Sequence, residues 1–256
     1  MLLKGKTALI AGAGRNNGKA IALAFAREGA DLILVSKKLG DELNQVAREC
    51  EASGAKTLAV LADVGNHQEV NRVVQAGLGE FGKVDVLVSV AAIRPHKNFW
   101  EFSDEEWLQV FAVNLHSTFY LARALAPSMM KRKTGSIIAL GGLASLTSEA
   151  IGSAVVASKH GLYGLIKSLA LELGPYGIRA NLLAPSNIEN QRLNPEWYEN
   201  RTGDAVMNKR GGDPSSSPLG RNGTPQEVAN AALFLASDQS SYVTGDRILC
   251  AGGKFM

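Results

Sequence analysis

The chain has 256 residues, 46% hydrophobic and 20% charged, a length suited to one large α/β core that buries about three quarters of its unfolded surface. Its 27 basic and 24 acidic residues leave a formal charge of +3, and the longest basic run is Lys131-Arg132-Lys133, so nothing in the charge points to nucleic acid or membrane as a partner. Two cysteines, Cys50 and Cys250, exclude a disulfide scaffold and a four-cysteine metal site.

The first residues, Met1 to Lys6, carry no hydrophobic signal core, and no apolar run approaches the roughly 18 residues of a membrane span. A cytoplasmic protein is therefore expected. Strand-like apolar runs follow at 7–11, 31–36, 57–62, 84–90, 136–140, 179–184 and 247–250. Most are continuous rather than alternating, as strands covered on both faces are. Helix-period segments lie between them at 18–28, 41–53, 66–80, 104–131, 152–173 and 225–236. Ser103 to Glu106 has the pattern of a capping box, and Thr224-Pro225 places proline at a first helical position. The alternation predicts one domain over 1–256: a Rossmann-type, doubly wound parallel sheet of about seven strands with helices on both faces. Residues 187–217 break the rhythm and include Trp197 and Tyr198; they read as an excursion or lid over the strand C-termini.

The 27 glycines exceed the roughly 18 that an average composition of about 7% would give. Several fall between the first strand and first helix, in Gly12-Ala13-Gly14-Arg15-Asn16-Asn17-Gly18. Glycines in that context let the backbone approach a pyrophosphate, which the helix N-terminus then holds. Asn16 stands where a middle glycine is expected, and asparagine tolerates left-handed backbone. The second strand ends in Ser36-Lys37-Lys38, without the acidic residue that would hold a ribose 2′-hydroxyl. Arg15 with Lys37 or Lys38 suits a 2′-phosphate; a solvated strand end explains the lysines equally well.

With these pieces in order, the chain resembles the short-chain dehydrogenase/reductase family over essentially its full length. Gly12 and Gly18 match its cofactor turn, and Asp63-Val64 its adenine-contacting pair. Ser89-Val90-Ala91-Ala92 sits where the family has Asn-Asn-Ala-Gly, and Asn114 matches its motif asparagine. Ala157-Ser158-Lys159 matches the tail of Tyr-x-Ala-Ser-Lys, and 218–229 matches the return from the substrate loop. The resemblance implies cofactor contacts, weak or vestigial, from Gly12, Arg15, Asn17, Gly18, Ser36, Asp63, Val64, Ala91 and Lys159.

In that family a tyrosine exchanges the proton as hydride moves, a lysine four residues later lowers its pKa, a serine 13 residues earlier polarises the carbonyl, and an asparagine completes a relay. Lys159 and Asn114 are present, but the tyrosine position holds Val155 and the serine position Gly142. A positioned acid/base is worth about 10² to 10⁴ in rate and an oxyanion-type donor about 10² to 10³, so turnover by this chain alone is not expected. A second Tyr-x-x-x-Lys, Tyr163 to Lys167, starts eight residues further on, about 12 Å along the same helix, and reads as packing. Glu149, Ser145, Ser148 and Ser153 lie near the altered positions at the wrong spacing, and a surface turn is the plainer account of them. His96, in Arg94-Pro95-His96-Lys97, lies beside the expected substrate pocket; Arg94 and Lys97 there suit a phosphate or carboxylate, and an ordinary polar loop is the alternative.

No metal site is expected, since the four histidines have no ligand spacing. Family members form dimers and tetramers through helices corresponding to 104–131 and 152–173 and through the C-terminal strand. The resemblance therefore implies a non-catalytic subunit paired with an active short-chain dehydrogenase paralogue, in a hetero-tetramer whose NAD or NADP sits in the partner. Two alternatives remain at this stage. One is an unconventional oxidoreductase using Glu149, Ser145 or His96 as its acid. The other is a dinucleotide-binding regulator.

Overall fold

Seven parallel strands form one sheet: β1 (Thr7–Ala11), β2 (Asp31–Ser36), β3 (Thr57–Leu61), β4 (Val86–Ser89), β5 (Gly135–Leu140), β6 (Ile178–Pro185) and β7 (Arg247–Cys250), in the order β3-β2-β1-β4-β5-β6-β7. The structure, a computed structural model, describes residues 1–38, 40–190 and 214–255. The helices are α1 (Asn16–Arg27), α2 (Gly40–Glu51), α3 (His67–Phe81), α4 (Asp104–Phe111), α5 (Ser117–Arg132), α6 (Ser153–Leu173) and α7 (Pro225–Ala236).

The continuous apolar strands divide their side chains between two cores, because successive residues point to opposite faces. Ala8, Ile10, Leu32 and Leu34 pack under α1, α2 and α7, against Phe25, Leu43 and Leu235. Leu9, Ala11, Ile33 and Val35 pack under α3, α5 and α6, against Val74, Leu121 and Leu162. Ala11 lies in register with Val35 on one side and Ser89 on the other, so strand order reverses between β1 and β4. The crevice beyond the strand C-termini at such a reversal is where ligands bind in open α/β sheets.

The predicted caps form: Ser103 and Thr224 each accept a hydrogen bond from the backbone N–H three residues on, while Glu106 and Glu227 reach back. The segment expected as one helix over 104–131 is continuous, with a π turn at Ala112–His116 that joins α4 to α5 and holds Asn114. A π turn inserts a residue into the ladder and re-aims the side chains beside it. Of the excursion at 187–217, residues 191–213, including Trp197 and Tyr198, lie outside the described residues. At its rim Ile188 bridges to Gly223. Among the described residues no helix is long and apolar enough to cross a membrane.

Candidate functional site

The turn after β1 is built to close tolerances. Gly12 has φ +96°, and a β-carbon on it would lie 2.8 Å from the Ala91 amide nitrogen; one on Gly18 would lie 1.9 Å from the Gly12 carbonyl oxygen. Both Gly12 and Ala13 donate their N–H to the Val35 carbonyl. Asn16 adopts φ +49°, the left-handed geometry its position requires. Helix α1 begins there with no side-chain cap and no acidic residue in its first turn, which leaves its partial positive charge for an anion. Beside it the Asn17 side-chain oxygen is buried without a hydrogen-bond partner among the described residues. The backbone of this turn fits the pyrophosphate of a dinucleotide, which the amides about Gly12 and Gly18 would hold; the Asn17 oxygen is an acceptor, suited to a hydroxyl and not to a phosphate. At the adenosine end Ser36 and Val64 are buried. Lys37 is exposed, as a solvated strand end is, and its Nζ also lies 2.5 Å from Asp63 Oδ2. The residue that suits a 2′-phosphate and the one matched to the adenine contact thus occupy each other.

The other end of the crevice is different. Val155 is 3% exposed and packs with Val110 and Ala154, and it has no proton to exchange. Gly142 follows β5 with φ 65° and ψ −176°, a region open essentially to glycine alone. Among the described residues, its chain neighbours aside, Arg94 Nη2 at 3.4 Å and the Pro185 carbonyl oxygen at 3.7 Å lie within 4 Å of where its β-carbon would be. Asn114 is buried; its amide oxygen accepts from the Ile93 N–H and its amide nitrogen donates to the Ile93 carbonyl and Ser158 Oγ. Lys159 is buried as well and donates to the Leu140 carbonyl at 2.7 Å. Burial, and then the charge of Arg94, pull its ammonium down to about 7.

The remaining candidates separate. Ser145 is not on a surface turn: it is 1% exposed, and its hydroxyl donates to the Gly142 carbonyl at 2.6 Å, closing a tight turn over Leu143–Ser145. Ser148 is exposed and Ser153 half-buried. Tyr163 packs under Arg247, 4.9 Å from its ring centroid, and Lys167. His96 lies in a loop and is itself buried, with Nδ1 2.9 Å from the Arg94 carbonyl and Nε2 3.1 Å from Glu149 Oε1. Lys97 turns away to Glu106, at 2.5 Å. Sequence reasoning missed two placements. Ser158 bonds to Asn114, which its place beside Lys159 does not signal, and Arg94 stands opposite Gly142.

A cavity of about 540 Å³ opens at the opposite, N-terminal end of the strands, lined by Lys4, Lys6, Lys83, Asp85, Arg179 and Asp238. Three of its cations are engaged in the frame: Lys6 with Asp238, Lys83 with Asp85, and Arg179 with the Leu235 and Ser237 carbonyls at the end of α7. Of these, Arg179 answers the C-terminus of α7; the turn after β1, Gly142 and Val155 lie at the other edge of the sheet.

The sequence profile of the family described as Enoyl-(Acyl carrier protein) reductase matches residues 12–254. The chain is 34% identical over 256 residues to L-rhamnose 1-dehydrogenase (NAD(P)(+)) of a Sphingomonas species, covering 100% of this chain and 98% of that protein. It is 35% identical to the 3-oxoacyl-(acyl-carrier-protein) reductase of Thermotoga maritima, with 99% of each chain covered. The structure is similar to that of carveol dehydrogenase from Mycobacterium avium in complex with NAD, with a TM-score of 0.90 and 25% identity over 99% of this chain and 98% of that one. The chain belongs to the short-chain dehydrogenase/reductase family.

Proposed function

We propose that this chain is the non-catalytic subunit of a hetero-oligomeric, NAD(P)-dependent short-chain alcohol dehydrogenase of the cytoplasm. The observation that carries the reading is the pair Gly142 and Val155. The backbone at Gly142 is in glycine-only geometry, and Val155 is packed among apolar side chains. A proton-transfer site lost at two positions, with the surroundings refitted at both, leaves the fold and its surfaces as what remains useful. Phe99 and Trp100 at 69% exposure and Leu108 at 61% are large apolar side chains on the segment leading into and along α4, and apolar surface of that kind supports a protein partner. The partner in this reading is an active paralogue that holds the NAD or NADP, in a hetero-tetramer. The pattern of losses is similar to that of the incompetent subunit of 2-hydroxy(phenyl)methyl-succinyl-CoA dehydrogenase of anaerobic toluene breakdown, which makes a hydroxyacyl-CoA of aromatic hydrocarbon degradation the substrate class of the complex.

Co-expression with a paralogue and native mass measurement test this. A mixed oligomer is expected, with no NAD(P)-linked turnover by the isolated chain; an active homo-oligomer overturns it. A second reading, an oxidoreductase with a substitute acid, is favoured by the His96–Glu149 pair at 3.1 Å. It predicts turnover that is lost in Glu149→Gln.

A further inference from the structure

We infer that the refitted catalytic pocket is a binding site for a small carboxylate, with the Arg94 guanidinium as its anchor and Lys159 beside it. The inference rests on reading Gly142 and Val155 as losses, and it concerns what the space now holds.

Three observations lead to it. The first is placement. At Gly142 the point where a β-carbon would stand has, among the described residues and apart from its chain neighbours, two atoms within 4 Å, and the nearer is Arg94 Nη2 at 3.4 Å. A guanidinium therefore borders the space where the family's serine would meet a substrate oxygen. The second is charge. Arg94 is exposed and forms no salt bridge with a carboxylate among the described residues, while its charge bears on the buried ammonium of Lys159. Glu149, the carboxylate of the neighbouring loop, reaches His96 instead. Two cations that repel one another at a ligand-binding edge are both stabilised by one anion between them. The third is hold. His96 Nδ1 lies 2.9 Å from the Arg94 carbonyl and its ring is buried, so the backbone carrying Arg94 is pinned beside Gly142.

The fork of an arginine presents two parallel N–H donors that match the two oxygens of a carboxylate, which favours that group over a neutral carbonyl. Binding beside Lys159 also draws a proton onto its amine, since an adjacent anion stabilises the ammonium. The fully assembled protein is thus expected to take up protons as the ligand binds near neutral pH.

Isothermal titration of the full-length protein with malonate, and separately with inorganic phosphate, in carboxylate-free low-salt buffer tests the site. Saturable malonate binding is expected, at least tenfold weaker in Arg94→Gln and partly restored in Arg94→Lys. Heats are expected to differ between buffers of different ionisation enthalpy, and that difference to vanish in Lys159→Met. Arg94 is exposed, so its variants fold. Absence of saturable malonate binding, equal binding by Arg94→Gln, or tighter binding of phosphate overturns the inference. NAD(P)-linked turnover by the isolated chain would sink the subunit reading alone, because malonate binding is measured without turnover.

Discussion

Lys37 Nζ lies 2.5 Å from Asp63 Oδ2 and ties the end of β2 to the residues after β3 across the adenosine end of the crevice. The lysine side chain is 53% exposed, and a pair so open to solvent contributes about 0 to 1 kcal/mol. Lys37→Ala is expected to change the urea midpoint little. A nucleotide with a 2′-phosphate would have to draw Lys37 off Asp63, so the isolated chain tests its own nucleotide crevice apart from the partner's. The variant is expected to bind NADP about tenfold more weakly, the size of one lost charge-assisted contact, and NAD unchanged. Equal weakening of both nucleotides would contradict this.

Gly142 sets a second expectation. With φ 65° and ψ −176°, any L side chain there is strained by about 1 to 3 kcal/mol. Gly142→Ala and Gly142→Ser should lower stability to denaturant by similar amounts, whatever their polarity. The double change Gly142→Ser with Val155→Tyr should accordingly stay silent in a hydride-transfer assay, because the serine cannot take its place without the turn over Leu143–Ser145 rearranging. Activity from the double variant would show that the turn adapts freely.

Lys159 carries the pH dependence. Its ordinary value is 10.5 and burial lowers it to about 7 in the folded chain. Between those values the unfolded chain holds a proton that the folded chain has released, so stability rises with pH across the window and is lost as pH falls towards 7. The difference in urea midpoint between the unaltered chain and Lys159→Met should vary in that direction from pH 7 to 10. A flat difference would refute it.

Asn114 is the tie between the π turn and the strand-four loop. Asn114→Ala removes its bonds to Ile93 N–H, Ile93 carbonyl and Ser158 Oγ, and leaves the part-buried Ile93 backbone groups and the buried Ser158 hydroxyl without this partner. A loss of about 2 to 3 kcal/mol is expected in thermal unfolding; a loss well under 1 kcal/mol would mean that water replaces the amide.

Much of the fold was legible because its signals are local. Strands β1, β2 and β7 have the bounds their apolar runs predict, and Ser103 and Thr224 cap as their neighbours indicate. The π turn at Ala112–His116 was not legible, since apolar periodicity runs through it and no residue type marks the inserted position. Ser145 looked like a surface turn because the polar stretch after it is exposed; its burial follows from folding back on Gly142, a tertiary matter. At the site, the identities at 142 and 155 were readable, but what fills the space was not. Glycine announces permitted angles without saying which are used, and the reach of Arg94 depends on how the loop after β4 is pinned by His96.

The contact of 1.9 Å that a β-carbon on Gly18 would make with the Gly12 carbonyl involves no ligand atom. The same holds for Gly12 against the Ala91 amide. Both glycines are demanded by the joint between the first strand, the first helix and the loop after β4, whether or not a nucleotide ever arrives. A lineage that ceased to use a cofactor would still be obliged to keep them in order to fold. In this chain the dinucleotide fingerprint therefore testifies to a backbone junction, and its survival carries no information about hydride chemistry.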